Sequence, residues 1–237
     1  MKAMILAAGL GTRLRPLTND RPKALVDVGG ATLLEITLRR LQSFGVDEVI
    51  INVHHFADSV VEYLEKHDNF GMRIEISRED VLLETGGGLK KAGWFFENDS
   101  KPFVLHNVDV ISTIDLGRML QFHQRNDALA SLAVQDRKTS RRLLFDREGQ
   151  LRGRQEQDVP PGTEALAFSG IHVISPRLLR LISEEGAFSI IETYLRLAKE
   201  GERILAFPAD EYYWRDLGKP GHVLEAEKDA HRGVVQL

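Results

Sequence analysis

The 237-residue chain has no cysteine, so disulfide bonds and thiolate metal sites are excluded and a reducing, cytoplasmic compartment is expected. It also lacks a long hydrophobic run, because the apolar segment Lys2–Leu6 is interrupted at once by Gly9 and Gly11. Basic residues are not in excess, since 31 Lys and Arg stand against 35 Asp and Glu. The composition therefore predicts a soluble globular protein that binds neither nucleic acid nor membranes.

Strand-like and helix-like segments alternate in the first half of the chain. Strands are predicted at Lys2–Leu6, Val46–Val53, Met72–Ser77 and Phe103–Val110, and helices at Leu33–Phe44, Asp58–His67, Leu89–Phe96 and Asp115–Asn126. This alternation predicts an α/β fold with a Rossmann-like, mostly parallel sheet between two layers of helices. Ligands of such sheets bind beyond the carboxyl ends of the strands.

The second half of the chain is less regular. Strands are predicted at Ala128–Gln135, Ala167–Ile174 and Arg203–Phe207, and helices at Arg177–Ile182, Ile190–Lys199 and Pro220–His231. The polar stretch that contains residues 143–145 and 150–154 predicts a hairpin or flap beside the main sheet, which makes a small β-rich subregion. Because no linker or repeat is present, residues 1–237 are predicted to form a single domain whose halves, 1–126 and 127–237, flank a cleft.

A loop with two glycines follows the first predicted strand. Gly9 and Gly11 allow backbone amides to turn toward an anion, and Thr12 adds a hydroxyl donor. Arg13 contributes a planar, permanently charged fork, and Lys23 a flexible point charge. The loop is therefore predicted to bind a polyphosphate.

Two other interpretations of this loop compete with a polyphosphate site. A plain strand-to-helix turn would use similar glycines, although Arg13 and Lys23 are costly choices for a turn. A dinucleotide site would also follow a first strand, but Leu14 stands where the third glycine or alanine of that fingerprint belongs. The pattern therefore disfavours a nicotinamide-dependent oxidoreductase.

Two aspartates are candidates for binding a metal ion. Asp109 lies at the carboxyl end of the predicted strand Phe103–Val110, where a carboxylate needs a cation partner. Asp216 lies in the segment Trp214-Arg-Asp-Leu-Gly-Lys-Pro-Gly221, and by itself it would be a turn or capping residue. Carboxylate oxygens together with phosphate oxygens suit Mg²⁺.

The loop sequence Leu6-Ala-Ala-Gly-x-Gly-Thr-Arg-Leu-x-Pro-Leu-Thr18, with Pro22-Lys23, resembles the signature of the sugar-1-phosphate nucleotidyltransferases. The similarity runs from Met1 to about Ala226, and it is strongest to short bacterial members such as the N-acetylmuramate 1-phosphate uridylyltransferases and the mannose-1-phosphate guanylyltransferase-like proteins. The resemblance implies a GT-A-like fold and a Mg²⁺-dependent reaction. In that reaction a nucleoside triphosphate and a sugar 1-phosphate give a nucleotide sugar and pyrophosphate. A monomer or a small homo-oligomer is expected.

The resemblance also implies roles for particular residues. It assigns the metal to Asp109 and Asp216, and catalytic contacts with the phosphates to Arg13 and Lys23. The nucleotide would lie on the first loop and on the glycine cluster before the predicted helix at Leu89, although a plain flexible loop is the alternative for that cluster. The nucleotide-binding candidates are Ala7, Ala8, Gly9, Gly11, Thr12, Arg13, Glu79, Thr85, Gly86 and Gly87. Val108 and Lys219 replace a glycine and a threonine of the family pattern.

The second half would bind the sugar phosphate. The candidates are Asn107, Gly170 and Glu192, although Glu192 could simply face water on its helix. Many family members carry a Glu-Lys-Pro element whose lysine contacts the sugar phosphate, and the stretch 154–158 has no such lysine. The basic run 137–142 could replace that charge, but a solvated surface loop is the favoured interpretation.

The resemblance favours uridine and an N-acetylmuramate-type amino sugar, with guanine and mannose or a heptose as the alternative. A protein of another class, a non-catalytic nucleotide-sugar sensor, is also compatible with the fold. Such a sensor is expected to lose Arg13, Lys23 or one of the two aspartates. The presence of all four residues favours the enzyme.

Overall fold

The computed structural model describes residues 1–237, and its strands and helices alternate along most of the chain. In chain order they are β1 (Lys2–Leu6), β2 (Asp27–Val28), β3 (Ala31–Thr32), α1 (Leu33–Ser43), β4 (Glu48–Val53), α2 (Ala57–Lys66), β5 (Arg73–Arg78), α3 (Glu84–Ala92), β6 (Phe103–Asn107), β7 (Val110–Ser112), α4 (Leu116–Arg125), β8 (Ala130–Gln135), β9 (Arg142–Asp146), β10 (Leu151–Arg154), β11 (Thr163–Ile174), α5 (Ile190–Lys199), β12 (Ile204–Pro208), β13 (Trp214–Asp216) and α6 (Pro220–His231). The longest helix has 12 residues, and no helix is both long and apolar enough to cross a membrane.

One mixed sheet runs through both halves of the chain. Its parallel part has the order β6-β1-β4-β5. The strand β11 pairs antiparallel with β6, on the side of β6 that faces away from β1. The strands β8 and β9 both pair with β11, and β12 and β10 extend these two branches. The predicted α/β sheet flanked by helices is confirmed.

The central strands are apolar along their whole length because helices cover both faces of the sheet. Ala3 and Ile5 of β1 belong to one buried cluster, whereas Met4 and Leu6 belong to another. Since successive residues of a strand face opposite sides, the two clusters lie on opposite faces of the sheet. Strands buried in this way read as continuous hydrophobic runs in the sequence.

The hairpin predicted beside the main sheet is part of that sheet. The strands β9 and β10 form an antiparallel pair, and β9 also pairs with the first residues of β11. The strand β11 begins at Thr163, four residues before the predicted start at Ala167, and these extra residues supply the edge that β9 needs. The prediction of a hairpin is confirmed, but its separation from the sheet was wrong.

The strand predicted at Phe103–Val110 is broken near its end. The strand β6 ends at Asn107, and after a turn at Val108 and Asp109 the chain continues as β7. The short strand β7 pairs antiparallel with β13, which the sequence did not predict. Strands of three residues carry too little hydrophobic pattern to be recognised. This small two-stranded sheet positions both aspartates of the site.

Candidate active site

The loop after β1 is held by contacts at both of its ends. Gly11 has a φ angle of 65°, in the left-handed region that favours glycine, and it directly precedes a single-turn 3-10 helix at Thr12–Leu14. The Thr18 hydroxyl donates a hydrogen bond of 2.8 Å to the Gly11 carbonyl oxygen, and Leu14 is fully buried. Arg13 is exposed. The loop therefore presents Arg13 to solvent from an anchored backbone.

Lys23 and Asp109 form an ion pair near the same loop. The distance from Lys23 Nζ to Asp109 Oδ2 is 2.9 Å, and the two side chains are only 14% and 9% exposed. A Cβ atom placed on Gly9 would lie 3.5 Å from Lys23 Nζ, so the ammonium group lies against the loop after β1. The sequence-based prediction that Lys23 and Asp109 meet at one site agrees with this geometry.

Asp216 is brought beside Asp109 by the small sheet. In the pairing of β13 with β7, Asp216 lies opposite Val110, the residue after Asp109. The Leu217 amide donates a hydrogen bond of 2.7 Å to the Asp109 carbonyl oxygen. Two carboxylates that are far apart in sequence are thus fixed at neighbouring backbone positions.

Arg13 approaches the same place from the first loop. A Cβ atom added to Gly218 would lie 2.8 Å from Arg13 Nη2 and 2.8 Å from Asp216 Oδ1. The Gly218 amide also donates a hydrogen bond of 2.8 Å to Asp216 Oδ1. A side chain at position 218 would require the Arg13 guanidinium or the Asp216 carboxylate to move. Arg13, Lys23, Asp109 and Asp216 therefore surround one region at the carboxyl end of the sheet.

The donor set of this region fits a hard divalent cation. Lys23 occupies one oxygen of Asp109, and the Gly218 amide occupies one oxygen of Asp216. Each carboxylate keeps a second oxygen that accepts no hydrogen bond from the protein. Two carboxylate oxygens, completed by phosphate oxygens and water, are the ligands that Mg²⁺ prefers.

Two residues that shortly precede Asp109 in the chain, His106 and Val108, are buried and uncharged near neutral pH. Val108, which replaces a glycine of the family pattern, has its side chain fully buried in the core. His106 is also fully buried, and this burial lowers the pKa of its imidazole to about 4. Neither side chain therefore contributes a charge beside Asp109 near neutral pH.

A buried network connects the first loop to the segment that follows β5. The Ala7 amide donates a hydrogen bond of 2.7 Å to Asn52 Oδ1, and Asn52 Nδ2 donates one of 2.7 Å to Glu79 Oε1. The Leu83 amide donates to Glu79 Oε2 at 2.9 Å. Both oxygens of Glu79 are therefore used within the protein, which favours a positioning role over direct contact with the nucleotide. Sequence reasoning missed Asn52, although a buried amide in an apolar strand is a usable signal.

The glycine cluster lies inside a helix and not in a loop. The helix α3 begins at Glu84, five residues before the predicted start at Leu89, so that prediction was wrong. The Gly86 amide donates a hydrogen bond of 2.8 Å to the Phe188 carbonyl oxygen, and Thr85 Oγ1 accepts one of 2.9 Å from the Ile190 amide. Side chains at Gly86 and Gly87 would collide with residues 186–188. Packing between α3 and the segment that precedes α5 therefore requires glycine at both positions.

The three sugar-side candidates make different contacts in the structure. Asn107 and Gly170 are in contact, since a Cβ atom on Gly170 would lie 2.7 Å from Asn107 Nδ2. Gly170 has a φ angle of 75° at the point where the pairing of β11 with β8 shifts register. Glu192, by contrast, is 53% exposed and forms an ion pair of 2.7 Å with Arg154 of β10. The structure brings Asn107 and Gly170 together and pairs Glu192 with Arg154.

The basic run 137–142 is not a uniformly solvated loop. Arg137 is partly buried, with its guanidinium carbon 3.6 Å from the centroid of the Trp214 ring. Desolvation lowers the pKa of Arg137, and the nearby charge of Asp216 opposes this effect. The preference for a solvated loop was therefore wrong at Arg137, because its contact with Trp214 joins segments that are far apart in sequence.

Comparison with known proteins defines the class of this fold and site. The model of the nucleotidyl transferase family matches residues 2–233 of the chain. The chain belongs to this family, and the resemblance to sugar-1-phosphate nucleotidyltransferases, with the enzyme class that it implies, is confirmed.

Individual relatives and a solved structure show which members of the family the chain is similar to. The chain is 36% identical to an N-acetylmuramate alpha-1-phosphate uridylyltransferase of Caulobacter vibrioides, over 95% of both chains. It is 30% identical to a mannose-1-phosphate guanyltransferase of Yarrowia lipolytica over 93% of its own length, but it spans only 61% of that protein. The structure of a putative glucose-1-phosphate thymidylyltransferase from Bacillus anthracis superposes with a TM-score of 0.82 at 19% identity, covering 97% of this chain and 95% of the other. The GT-A-like fold is confirmed.

Proposed function

We propose that the protein transfers a uridylyl group from UTP to an N-acetylmuramate-type sugar 1-phosphate and releases pyrophosphate. The observation that carries the reaction type is the convergence of Arg13, Lys23, Asp109 and Asp216 at one end of the sheet. The choice of substrates rests on the relative from Caulobacter vibrioides, which has nearly the same length as this chain.

The proposed step is an in-line displacement at the α-phosphorus of the nucleoside triphosphate. An oxygen of the sugar phosphate forms the new bond, and the bond from the α-phosphorus to the oxygen that bridges to the β-phosphorus breaks. The attacking oxygen is already anionic near neutral pH, so no general base is required. The protein must instead bring two anions together and stabilise the charge that moves to pyrophosphate.

Each of the four charged residues has a separate role in this reaction. Arg13, exposed on the anchored loop, binds the triphosphate tail through its planar fork of donors. Lys23 neutralises the transferring phosphate, because its flexible side chain can leave the Asp109 carboxylate and follow the phosphate. Asp109 and Asp216 would hold Mg²⁺. When bound, this ion supplies electrostatic stabilisation of the phosphate oxygens.

The buried network and the sugar-side residues complete the proposal. Asn52 and Glu79 fix the backbone of Ala7, on which the nucleotide would rest together with Ala8, Gly9, Gly11 and Thr12. Asn107 and Gly170 would contact the sugar, since they adjoin each other at the carboxyl end of β6. Because the chain has no cysteine, we also place the enzyme in the reducing cytoplasm.

A substrate matrix tests this function. Each of the four common ribonucleoside triphosphates is combined with N-acetylmuramate, N-acetylglucosamine, mannose and glucose 1-phosphates, and pyrophosphate release is measured with Mg²⁺ and with excess chelator. The expected result is the highest kcat/KM for UTP with N-acetylmuramate 1-phosphate, and loss of activity with the chelator.

The other outcomes of the matrix separate the alternatives. The highest kcat/KM with GTP and mannose 1-phosphate would favour the guanylyl transfer named for the relative from Yarrowia lipolytica. Binding of nucleotides without pyrophosphate release from any pair would indicate a non-catalytic sensor and contradict the proposal.

A further inference from the structure

Arg137, on the segment that follows β8, is held in a fixed position above an aromatic ring. Its guanidinium carbon lies 3.6 Å from the centroid of the Trp214 ring, and its Nη2 donates a hydrogen bond of 2.6 Å to the Phe168 carbonyl oxygen. The Trp214 indole in turn donates a hydrogen bond of 2.7 Å to the Ser169 carbonyl oxygen. The guanidinium is therefore oriented by the rigid strands β11 and β13.

The charge of Arg137 is not neutralised by a contacting carboxylate. The nearby Arg142 forms an ion pair of 2.9 Å with Asp136, whereas Arg137 forms no salt bridge. Arg137 Nε is buried and has no hydrogen-bond partner in the protein. Partly burying a cation without a carboxylate partner is costly, and an anion that binds at the accessible Nη1 group would offset that cost.

The position of Arg137 connects the two parts of the proposed site. Trp214 precedes Asp216 by two residues on β13, and the charge of Asp216 acts on the Arg137 guanidinium. Phe168, which accepts a hydrogen bond from Arg137, precedes Gly170 by two residues on β11. An anion bound by Arg137 would therefore lie between the metal-side carboxylate Asp216 and the sugar-side residue Gly170.

We propose that Arg137 binds the phosphate group of the sugar 1-phosphate and directs its attacking oxygen toward the α-phosphorus. This inference rests on the proposed transfer reaction and assigns a cation in place of the lysine that the stretch 154–158 lacks. The Nη1 group of Arg137, which makes no hydrogen bond within the protein and is not among its buried polar atoms, provides a free donor, and the permanent charge of the guanidinium holds the phosphate without taking a proton from it. The attacking oxygen thus stays anionic.

Steady-state kinetics of Arg137→Met test this assignment, with UTP and N-acetylmuramate 1-phosphate as substrates. The KM for the sugar phosphate is expected to rise about 30-fold, because a hydrogen-bonded charge contact is lost, while the KM for UTP changes less than about twofold. Arg118→Met is the matched control, since Arg118 also lies over an aromatic ring, that of Tyr212, but it is exposed and paired with Glu211. The control is expected to keep both KM values.

Two further variants distinguish substrate binding from a structural role of Arg137. Arg137→Lys keeps the charge but loses the flat contact with Trp214, so its sugar-phosphate KM is expected to lie between those of wild type and Arg137→Met. Added guanidinium ion is expected to lower the sugar-phosphate KM of Arg137→Ala, which a purely structural loss would not allow.

The outcomes separate this inference from the proposed function. An active wild type whose sugar-phosphate KM is unchanged in Arg137→Met would overturn the assignment of Arg137 and leave the transfer reaction in place. Equal rises in the KM for UTP and for the sugar phosphate would also overturn it. A wild type that releases no pyrophosphate with any substrate pair would contradict the proposed function itself.

Discussion

Replacing Asp109 with asparagine is expected to lower the turnover number by about a thousandfold or more, because metal stabilisation is worth several kcal/mol and each tenfold in rate corresponds to about 1.4 kcal/mol. Asparagine keeps the shape of the side chain and one carbonyl oxygen, but it loses the charge that would hold a divalent cation. The measurement is pyrophosphate release at saturating concentrations of both substrates.

The ion pair between Asp109 and Lys23 requires a control for stability. The single variant leaves a largely buried ammonium group without its partner, which lowers the free energy of unfolding. The double variant Asp109→Asn/Lys23→Met is expected to regain part of that free energy and to remain inactive. Asp146→Asn, in which a carboxylate 2.6 Å from Arg152 is changed on the β9–β10 hairpin, is expected to keep its activity. Turnover of Asp109→Asn above about a tenth of wild type would contradict the assignment.

The charged part of the site could be predicted from the sequence because its residues end predicted strands or lie in glycine-containing loops. Arg13 and Lys23 follow β1, and Asp109 follows β6, so the parallel topology alone brings them to one edge of the sheet. Asp216 could be assigned only through the resemblance to the family. Its proximity to Asp109 depends on the pairing of β13 with β7, which no local sequence pattern predicts.

The contacts of Asn52 and Arg137 could not be predicted from the sequence because their partners are distant along the chain. The amide of Asn52 connects Ala7 to Glu79, and Arg137 stacks on Trp214. Such contacts follow from the sheet order and not from residue spacing. From the sequence alone, a basic run therefore predicts a solvated loop. Its contact with Trp214 of β13 becomes evident only from the fold.

Replacing Gly87 with alanine is expected to lower the free energy of unfolding by about 3 kcal/mol, at the upper end of the usual cost of overpacking. The added Cβ atom would lie closer than 3.0 Å to the Gly186 carbonyl oxygen, a backbone atom that cannot rotate away. The collision would separate α3 from residues 186–188 and weaken the hydrogen bond from the Gly86 amide to the Phe188 oxygen. Urea denaturation monitored by circular dichroism measures the change.

Gly93→Ala is the matched control for this prediction. Gly93 directly follows α3, and a Cβ atom there would meet only the Leu179 side chain at 3.8 Å, an ordinary contact distance. Its backbone is already in the right-handed helical region, so alanine is expected to leave the urea midpoint unchanged or to raise it slightly. Equal midpoints for Gly87→Ala and wild type would contradict the packing account of the glycine cluster.

The helices that the sequence located best are those whose hydrophobic pattern and end signals agree. The predicted ranges Ile190–Lys199 and Pro220–His231 coincide with α5 and α6, which begin after Ser189 and at Pro220 respectively. The start of α3 was misplaced because three successive glycines oppose a helix locally. Contacts with residues 186–188, which lie about a hundred positions away, override that preference.

The central claim is that Asp109 and Asp216 hold one divalent ion together with the polyphosphate. Titration of Mn²⁺, followed by electron paramagnetic resonance in the presence of a non-hydrolysable UTP analogue, tests it most directly. The account predicts one nucleotide-dependent ion per chain in the wild type, and at least about tenfold weaker binding in both Asp109→Asn and Asp216→Asn. Nucleotide-dependent Mn²⁺ binding that is unchanged in either variant would contradict it.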